Sequence, residues 1–267
     1  MGLAIDTVGL TVTSGTAATA AYLGMTAANG DSLTVRSFNA PASALLEEIL
    51  YDASTVNAVR VRSPMFHDDV QGIRFTPGVA PVRHQFAPQA PQRLISGDTL
   101  IAEVNDQTAN AVYVAGLRIY YSDLIGGAAR LKNPGDVLGN IKSVKPVLVT
   151  VTTPTAKVWT DTSITTTENL LHANTDYAVL GYLVDSATCL VGVKGQETSN
   201  LRVCGSGQTE LYDTSNLFVD LANALGTPHI PVFNSQNASN YYVSVFPRAN
   251  TTLNVTLILA EMASPVP

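Results

Sequence analysis

The chain has 267 residues, of which 46% are hydrophobic and only 13% charged, against roughly 25% charged in an ordinary soluble domain. That length predicts two domains of about 130 residues, each large enough to bury its own core. The net charge of -6 and the lack of a basic run argue against nonspecific nucleic-acid binding, which depends mainly on Lys and Arg. No apolar run is long enough for a membrane span, and the N-terminus lacks the basic region of a secretory signal.

The first half of the chain is a series of short predicted strands. Residues 32–38 and 57–62 alternate apolar and polar side chains, which is typical of strands. The stretch 43–50 has a capping serine and good helix formers, but its counterpart in the second half has a strand pattern, so we predict a strand. The proline-rich stretch 77–97 predicts a loop or arm without regular structure. A hairpin is predicted over 98–121.

The second half shows the same kind of pattern with one added helix. Asp213-Thr214-Ser215 is a good helix start, the next residues continue at helical spacing, and Gly226 ends the pattern, so a short helix is predicted near 214–225. Strands are predicted at 147–153, 156–160, 177–184, 189–194, 200–204, 229–233, 241–246 and 253–261.

The two halves resemble each other in pattern and order. A shift of 132 positions places Val61 on Val193, and a shift of 142 lays 100–120 over 242–262 without a gap. Each half offers about eight short strands, which predicts an all-β fold of two tandem jelly rolls, each an eight-stranded β-sandwich or barrel, that arose by internal duplication. The predicted organisation is an N-terminal arm with the first strands (1–30), a first jelly roll (31–122), a linker (123–146), a second jelly roll (147–262) and a C-terminal tail (263–267).

Catalytic and metal-binding patterns are weak. His67-Asp68-Asp69 sets a histidine beside two carboxylates, but consecutive residues of an extended chain point in opposite directions, so we expect a solvated loop. Gly205-Ser206-Gly207 lacks the context of a nucleophile elbow or phosphate loop and is interpreted as a turn. Glu47 and Glu48 are adjacent rather than facing, which gives no glycosidase pair. His229 is interpreted as a packed histidine. We therefore predict no enzyme activity, no catalytic, cofactor-binding or metal-binding residues, and no cofactor.

The two cysteines leave two interpretations open. Cys189 and Cys204 flank a predicted strand–turn–strand, where pairing of the strands could bring them within reach of a disulfide. Alternatively they are buried free thiols that pack as small hydrophobic residues, and this is the interpretation we favour.

Two tandem jelly rolls with a flanking helix, low charge and no catalytic constellation are together similar to the double jelly-roll major capsid proteins of tailless icosahedral viruses, a lineage that includes adenovirus and tectivirus-like phages. The second half, with YAVLGYLVDSATCLVGVKGQETSNLRV and GTPHIPVFNSQN, also resembles phage virion structural proteins. The resemblance extends over nearly the whole chain and lies in architecture rather than in a signature motif. The chain is short for this family, which predicts minimal surface loops.

The resemblance implies a structural virion protein of a bacteriophage. Such a major capsid protein forms homotrimers, which act as pseudo-hexameric capsomers and tile an icosahedral shell. It is made in the host cytoplasm and resides in the virion. The implied partners are further copies of the chain, within the trimer and in neighbouring capsomers. Minor capsid or penton proteins and an internal viral membrane are additional candidates, and no specific nucleic acid is implied.

A second class of function stays open, namely a trimeric virion decoration or spike protein, or a carbohydrate-binding β-sandwich module. A saccharide binder is expected to expose clustered aromatic side chains on one face. The ten Tyr, seven Phe and one Trp of this chain are instead spread through strand patterns, which favours the shell protein.

Overall fold

The computed structural model describes residues 2–15, 21–52, 56–65, 69–75, 82–85, 92–106, 108–152, 154–165, 171–185, 190–207 and 213–266. Across these ranges the chain is all-β, with tandem β-sandwiches built from antiparallel sheets. None of the helices in these ranges is long and apolar enough to cross a membrane.

The first half folds into two sheets. Its strands are β1 (Ala4–Thr13), β2 (Tyr22–Gly24), β3 (Thr26–Ala27), β4 (Ala44–Asp52), β5 (Val56–Arg62), β6 (Ile73–Phe75), β7 (Val82–Gln85), β8 (Gln92–Leu94), β9 (Ile101–Asp106) and β10 (Val112–Tyr121). Sheet 1A has the order β3–β1–β10–β4–β7, and β8 pairs with the other end of β4. Sheet 1B has the order β2–β9–β5–β6.

The second half repeats this arrangement. Its elements are β11 (Leu131–Lys132), α1 (Pro134–Leu138), β12 (Ile141–Val151), β13 (Thr160–Ser163), β14 (Asp176–Val184), β15 (Leu190–Gly195), β16 (Val203–Ser206), α2 (Leu217–Leu225), β17 (Ile230–Asn234), β18 (Tyr241–Phe246) and β19 (Leu253–Met262). Sheet 2A has the order β11–β17–β14–β19–β12, and sheet 2B has the order β13–β18–β15–β16.

Both halves connect their strands in the same way. The order β1–β10–β4–β8 in sheet 1A corresponds to β12–β19–β14–β17 in sheet 2A. The order β2–β9–β5–β6 in sheet 1B corresponds to β13–β18–β15–β16 in sheet 2B. Within these two sets of eight strands, each strand is followed by one of the opposite sheet, except that β5 and β6, and likewise β15 and β16, are neighbours in one sheet. This is the jelly-roll connection. The predicted all-β fold with two tandem jelly rolls is therefore confirmed.

A β-bulge lies at the same point of both copies. Glu47 is the extra residue beside Arg118 in sheet 1A, and Leu180 is the extra residue beside Ile258 in sheet 2A. The bulges therefore align Arg118 with Ile258, a shift of 140 positions rather than the 142 predicted from the sequence. The two-residue error keeps every side chain on its correct face, because side chains alternate with a period of two along a strand.

The strand at 43–50 and the helix near 214–225 are confirmed as β4 and α2. The prediction that 77–97 has no regular structure is wrong, since β7 and β8 both lie there and pair with β4. Neither short strand contains a proline, since β7 lies between Pro81 and Pro88 and β8 begins directly after Pro91. Strand β12 begins at Ile141, inside the predicted linker. Its proline, Pro146, is tolerated because β12 is the last strand of its sheet.

Each jelly roll has its own apolar core between its two sheets. Representative buried residues are Leu46, Ile49, Val61, Val104 and Leu117 in the first core, and Val179, Tyr182, Val191, Val243 and Leu257 in the second. Helix α2 closes the second core, where the Phe218 ring packs edge-on against Tyr182 with centroids 6.3 Å apart. Ile5 and Tyr120 belong to the first roll but pack into the core cluster of the second, which shows that the two rolls are joined.

Candidate functional site: the junction between the jelly rolls

The outer face of sheet 1A, turned away from its own core, is covered by sheet 2B. In β10 the residues from Tyr113 to Tyr121 are all buried, although only every second one can face the first core. The others, among them Val114, Gly116 and Arg118, face the second jelly roll. A strand that is buried on both faces has a nearly continuous run of apolar residues. The sequence of β10 has this character except at Arg118.

The apolar part of this junction is tightly packed. Leu50 and Val114 of the first roll form one buried cluster with Trp159, Leu190 and Phe246 of the second. Glycines let the two backbones approach. A Cβ atom on Gly116 would lie 2.6 Å from Leu190 Cδ2, and one on Gly9 would lie 3.0 Å from Trp159 Nε1. These two glycines leave the room that the Leu190 and Trp159 side chains occupy in this contact.

A buried ionic cluster lies beside the apolar contact. The Arg118 side chain is fully buried, and its Nη1 lies 2.6 Å from Glu48 Oε2 while its Nε lies 3.3 Å from Glu47 Oε2. Nη1 also donates to the Cys204 carbonyl oxygen in sheet 2B, at 3.3 Å. A charge removed from water is tolerated only with such partners, and the hydrogen bond to Cys204 extends the cluster from the first roll to the second.

His229, just before β17, completes the cluster from the other roll. Its Nε2 lies 2.9 Å from both carboxylate oxygens of Glu47, and its Nδ1 lies 2.9 Å from the Thr227 carbonyl oxygen. The Thr227 hydroxyl oxygen also lies 3.1 Å from Nδ1, so the imidazole is held by the Glu47 carboxylate on one side and by Thr227 on the other. The Arg118 guanidinium and the His229 ring thus meet the same Glu47 carboxylate from the two rolls. The Tyr120 ring stacks on the imidazole with centroids 5.3 Å apart, and burial, followed by the Glu47 charge, raises the pKa of Tyr120 to about 12.

A second polar link between the rolls centres on Asp31. Its Oδ2 accepts hydrogen bonds from Trp159 Nε1 at 2.6 Å and from the Gly9 backbone N–H at 2.7 Å. Its Oδ1 accepts one from Arg202 Nη1 at 3.1 Å, and the Arg202 guanidinium lies 4.5 Å over the Trp159 ring. Burial raises the pKa of Asp31, while these donors act in the opposite direction. The first roll therefore inserts one carboxylate into an aromatic and cationic pocket of the second.

Asp176 binds the segment between the two rolls and the C-terminal segment to the second roll. Arg130, between the two rolls, donates to Asp176 Oδ2 at 2.8 Å, and the backbone N–H of Val266, near the C-terminus, donates to the same oxygen at 3.0 Å. Burial raises the pKa of Asp176, but the hydrogen bonds from Arg130, Val266 and Asn234 outweigh it and hold the pKa below its usual range.

Of the candidate residues from the sequence, Glu47, Glu48 and His229 meet in the junction cluster. His67 and Asp68 lie outside the described residues, and no group of three potential metal ligands occurs within them. The interpretation of Gly205-Ser206-Gly207 as a turn is wrong, because Gly205 and Ser206 belong to β16. The packed role of His229 is confirmed, since the residue is fully buried.

Of the two cysteines, the described one is Cys204, and Cys189 lies outside the described residues. Cys204 is a buried free thiol, as predicted, and burial holds its pKa well above the usual range.

Sequence reasoning missed the junction itself. The sequence presents Glu47 and Glu48 only as a possible catalytic pair, and Arg118 lies in the predicted hairpin over 98–121 without a partner that spacing could identify. One local signal was present, because Arg118 is the only charge in the ten residues of β10. A single arginine in an otherwise apolar strand indicates a buried ion pair, although its partner cannot be read from the sequence.

No family model matches this sequence, and no curated protein matches it significantly. Among solved structures, the chain is similar to the major capsid protein P2 of bacteriophage PM2, with 9% identity, 97% of this chain and 98% of that chain covered, and a TM-score of 0.23. It is also similar to a chain of the PBCV-1 virus capsid, with 6% identity, 99% of this chain and 86% of that chain covered, and a TM-score of 0.19. These weak structural neighbours are viral capsid proteins.

Proposed function

We propose that this chain is a structural virion protein, the major capsid protein of a bacteriophage shell. The observation that carries the proposal is the buried junction, in which two similar jelly rolls pack face to face. Its apolar contact, its ionic cluster and the Asp31 link leave the two rolls little freedom to move against each other. One chain is thus a rigid block with an internal near-repeat.

Such a block suits a hexagonal lattice. Three chains contribute six similar jelly rolls, so a homotrimer has near-sixfold symmetry and acts as a pseudo-hexameric capsomer. Capsomers of this kind tile an icosahedral shell made from one gene product. A chain with only 13% charged residues is suited to permanent contacts between copies, because such interfaces are large and more apolar than transient ones.

The alternative of a saccharide-binding module is less well supported. Tyr177, Phe233 and Tyr241 form a stack with ring centroids 5.8 and 4.4 Å apart. All three side chains are fully buried in the second core. These rings stabilise the fold and are not available to stack on a sugar.

The proposal places the protein in the virion, after synthesis in the host cytoplasm. Its main partner is itself, within the trimer and between capsomers. Minor capsid or penton proteins and an internal membrane are further partners to test, and the charge of -6 gives no support for specific nucleic-acid binding.

Negative-stain electron microscopy of the concentrated protein tests the proposal. We expect rings with six lobes, and sheets or shells with hexagonal packing when concentration rises. Isolated trimeric spikes that never form a lattice would instead favour the decoration protein, and dispersed single particles the size of one chain would refute the shell role.

A further inference from the structure

The outer face of sheet 2A carries several exposed apolar side chains. Val144 and Leu148 of β12 are 52% and 43% exposed, and Leu183 of β14 is 37% exposed. Among the described residues these are the strongly exposed large apolar side chains that lie in strands. Pro146 and Ile258, which are paired across β12 and β19, fill the space between them. We call this surface the 2A face.

The corresponding face of the first jelly roll is covered. Strand pairing aligns Leu148, Thr256 and Leu183 in one row across sheet 2A. The common bulge makes this row the counterpart of Gly9, Gly116 and Leu50 in sheet 1A. That row of sheet 1A is buried under sheet 2B. The chain therefore shows what packs on such a face, while Val144, Leu148 and Leu183 stay exposed on the other copy of it.

We propose that the 2A face is covered by sheet 1B of a second copy, which repeats the contact that sheet 1A makes with sheet 2B inside one chain. The inference rests on the proposed shell function and specifies which surfaces join the copies.

Sheet 1B has the features that sheet 2B uses in the internal contact. Strand pairing and the 132-residue shift place Tyr22 of sheet 1B where sheet 2B has Trp159. Each ring is covered by a guanidinium group. Arg60 lies 3.7 Å from the Tyr22 ring centroid, and Arg202 lies 4.5 Å from the Trp159 ring centroid.

The charges on sheet 1B are compatible with an apolar partner. Glu103 Oε2 lies 2.5 Å from Arg60 Nε and 2.9 Å from Arg62 Nε, so the carboxylate is shared between the two guanidinium groups. The hydrogen bonds from Arg62 and Arg60 outweigh burial and lower the pKa of Glu103. Guanidinium groups that are weakly hydrated and already paired form a flat surface on which apolar side chains can pack.

The correspondence between the internal contact and the proposed one predicts which residues of two copies meet. Inside the chain, Gly9 meets Trp159. Its counterpart between copies is Leu148 against Tyr22 of the second copy. Because the two surfaces differ, the contact is heterologous, so it closes into a ring or continues as a filament. With two jelly rolls per chain and one type of contact throughout, closure after three chains gives the pseudo-hexamer.

The first test is a charge on the 2A face. Leu148→Arg is expected to leave the circular dichroism spectrum and the thermal midpoint unchanged, because Leu148 is partly exposed. It is expected to weaken association of the copies at least about tenfold, since an unpaired charge would be buried at the contact. The matched control is Ile125→Arg, at an apolar residue that is 59% exposed outside the strands, and it should retain the wild-type oligomer.

The second test does not depend on how Leu148→Arg folds. Leu148→Cys and Tyr22→Cys variants are co-expressed, oxidised and compared with each variant alone. A covalent dimer that forms only in the mixture supports the contact. If the wild-type chain is trimeric but Leu148→Arg is equally trimeric and no mixed dimer forms, the face assignment is overturned while the shell function stands. A wild-type chain that remains monomeric overturns both.

Discussion

His229 Nε2 lies 2.9 Å from both carboxylate oxygens of Glu47, although the two residues are 182 positions apart and belong to different jelly rolls. Glu47 is the bulge residue of β4, so the bulge turns an extra carboxylate toward the second roll. In sheet 2A the same bulge position holds Leu180. One duplicated feature therefore serves as a polar contact in the first copy and as an apolar residue in the second.

Removing the arginine of the cluster is expected to destabilise the protein strongly. Arg118→Met leaves the carboxylates of Glu47 and Glu48 buried with one cation fewer, which should cost about 3–5 kcal/mol in the free energy of unfolding. Urea denaturation followed by tryptophan fluorescence measures this, since Trp159 lies in the junction. Arg93→Met, at an exposed position of β8, is the control and should change the free energy by less than about 0.5 kcal/mol. Equal effects of the two substitutions would show that the cluster contributes little.

A side chain at the glycine contact is expected to force the rolls apart. In Gly116→Ala the new Cβ atom would lie 2.6 Å from Leu190 Cδ2, and Leu190 is fully buried with little room to move. We expect a loss of about 1–3 kcal/mol, typical of overpacking. Gly135→Ala is the control, because a Cβ atom there meets nothing within 4 Å and the residue lies in helix α1. A Gly116→Ala protein as stable as this control would contradict the close approach of the sheets.

Asp176 is expected to make stability depend on pH. Its folded-state pKa is lowered by Arg130, Val266 and Asn234, against the effect of burial. Its stabilising contribution is therefore fully present above the unfolded-state pKa of about 3.9 and is lost as the pH falls through the folded-state pKa. Asp176→Asn should lower the thermal midpoint at pH 7, and the difference from wild type should shrink below about pH 4. A difference that is constant between pH 7 and pH 3 would exclude this role of the carboxylate.

The duplicated pattern was sufficient to predict the fold class, because it is a global signal. It correctly predicted β4 as a strand, although Glu47 and Glu48 lie in a stretch with helix-forming residues. In the structure the ladder with β10 and the ion pair with Arg118 override that local preference. The short strands β7 and β8 were missed because the prolines around them dominate the local pattern.

The junction could not be predicted for a different reason. Its contacts join residues far apart in the sequence, such as Asp31 with Trp159 and Asp31 with Arg202, which are separated by 128 and 171 positions. No periodicity or spacing connects such residues. A single buried charge such as Arg118 indicates that a partner exists, but only the packing of one jelly roll on the other identifies it.

The mass of the purified protein in solution tests the central claim most directly. Multi-angle light scattering after size exclusion should give the mass of three 28.1 kDa chains, about 84 kDa, together with larger assemblies as concentration rises. A single species at the mass of one chain, unchanged up to high concentration, would contradict the account of this protein as a shell-forming trimer.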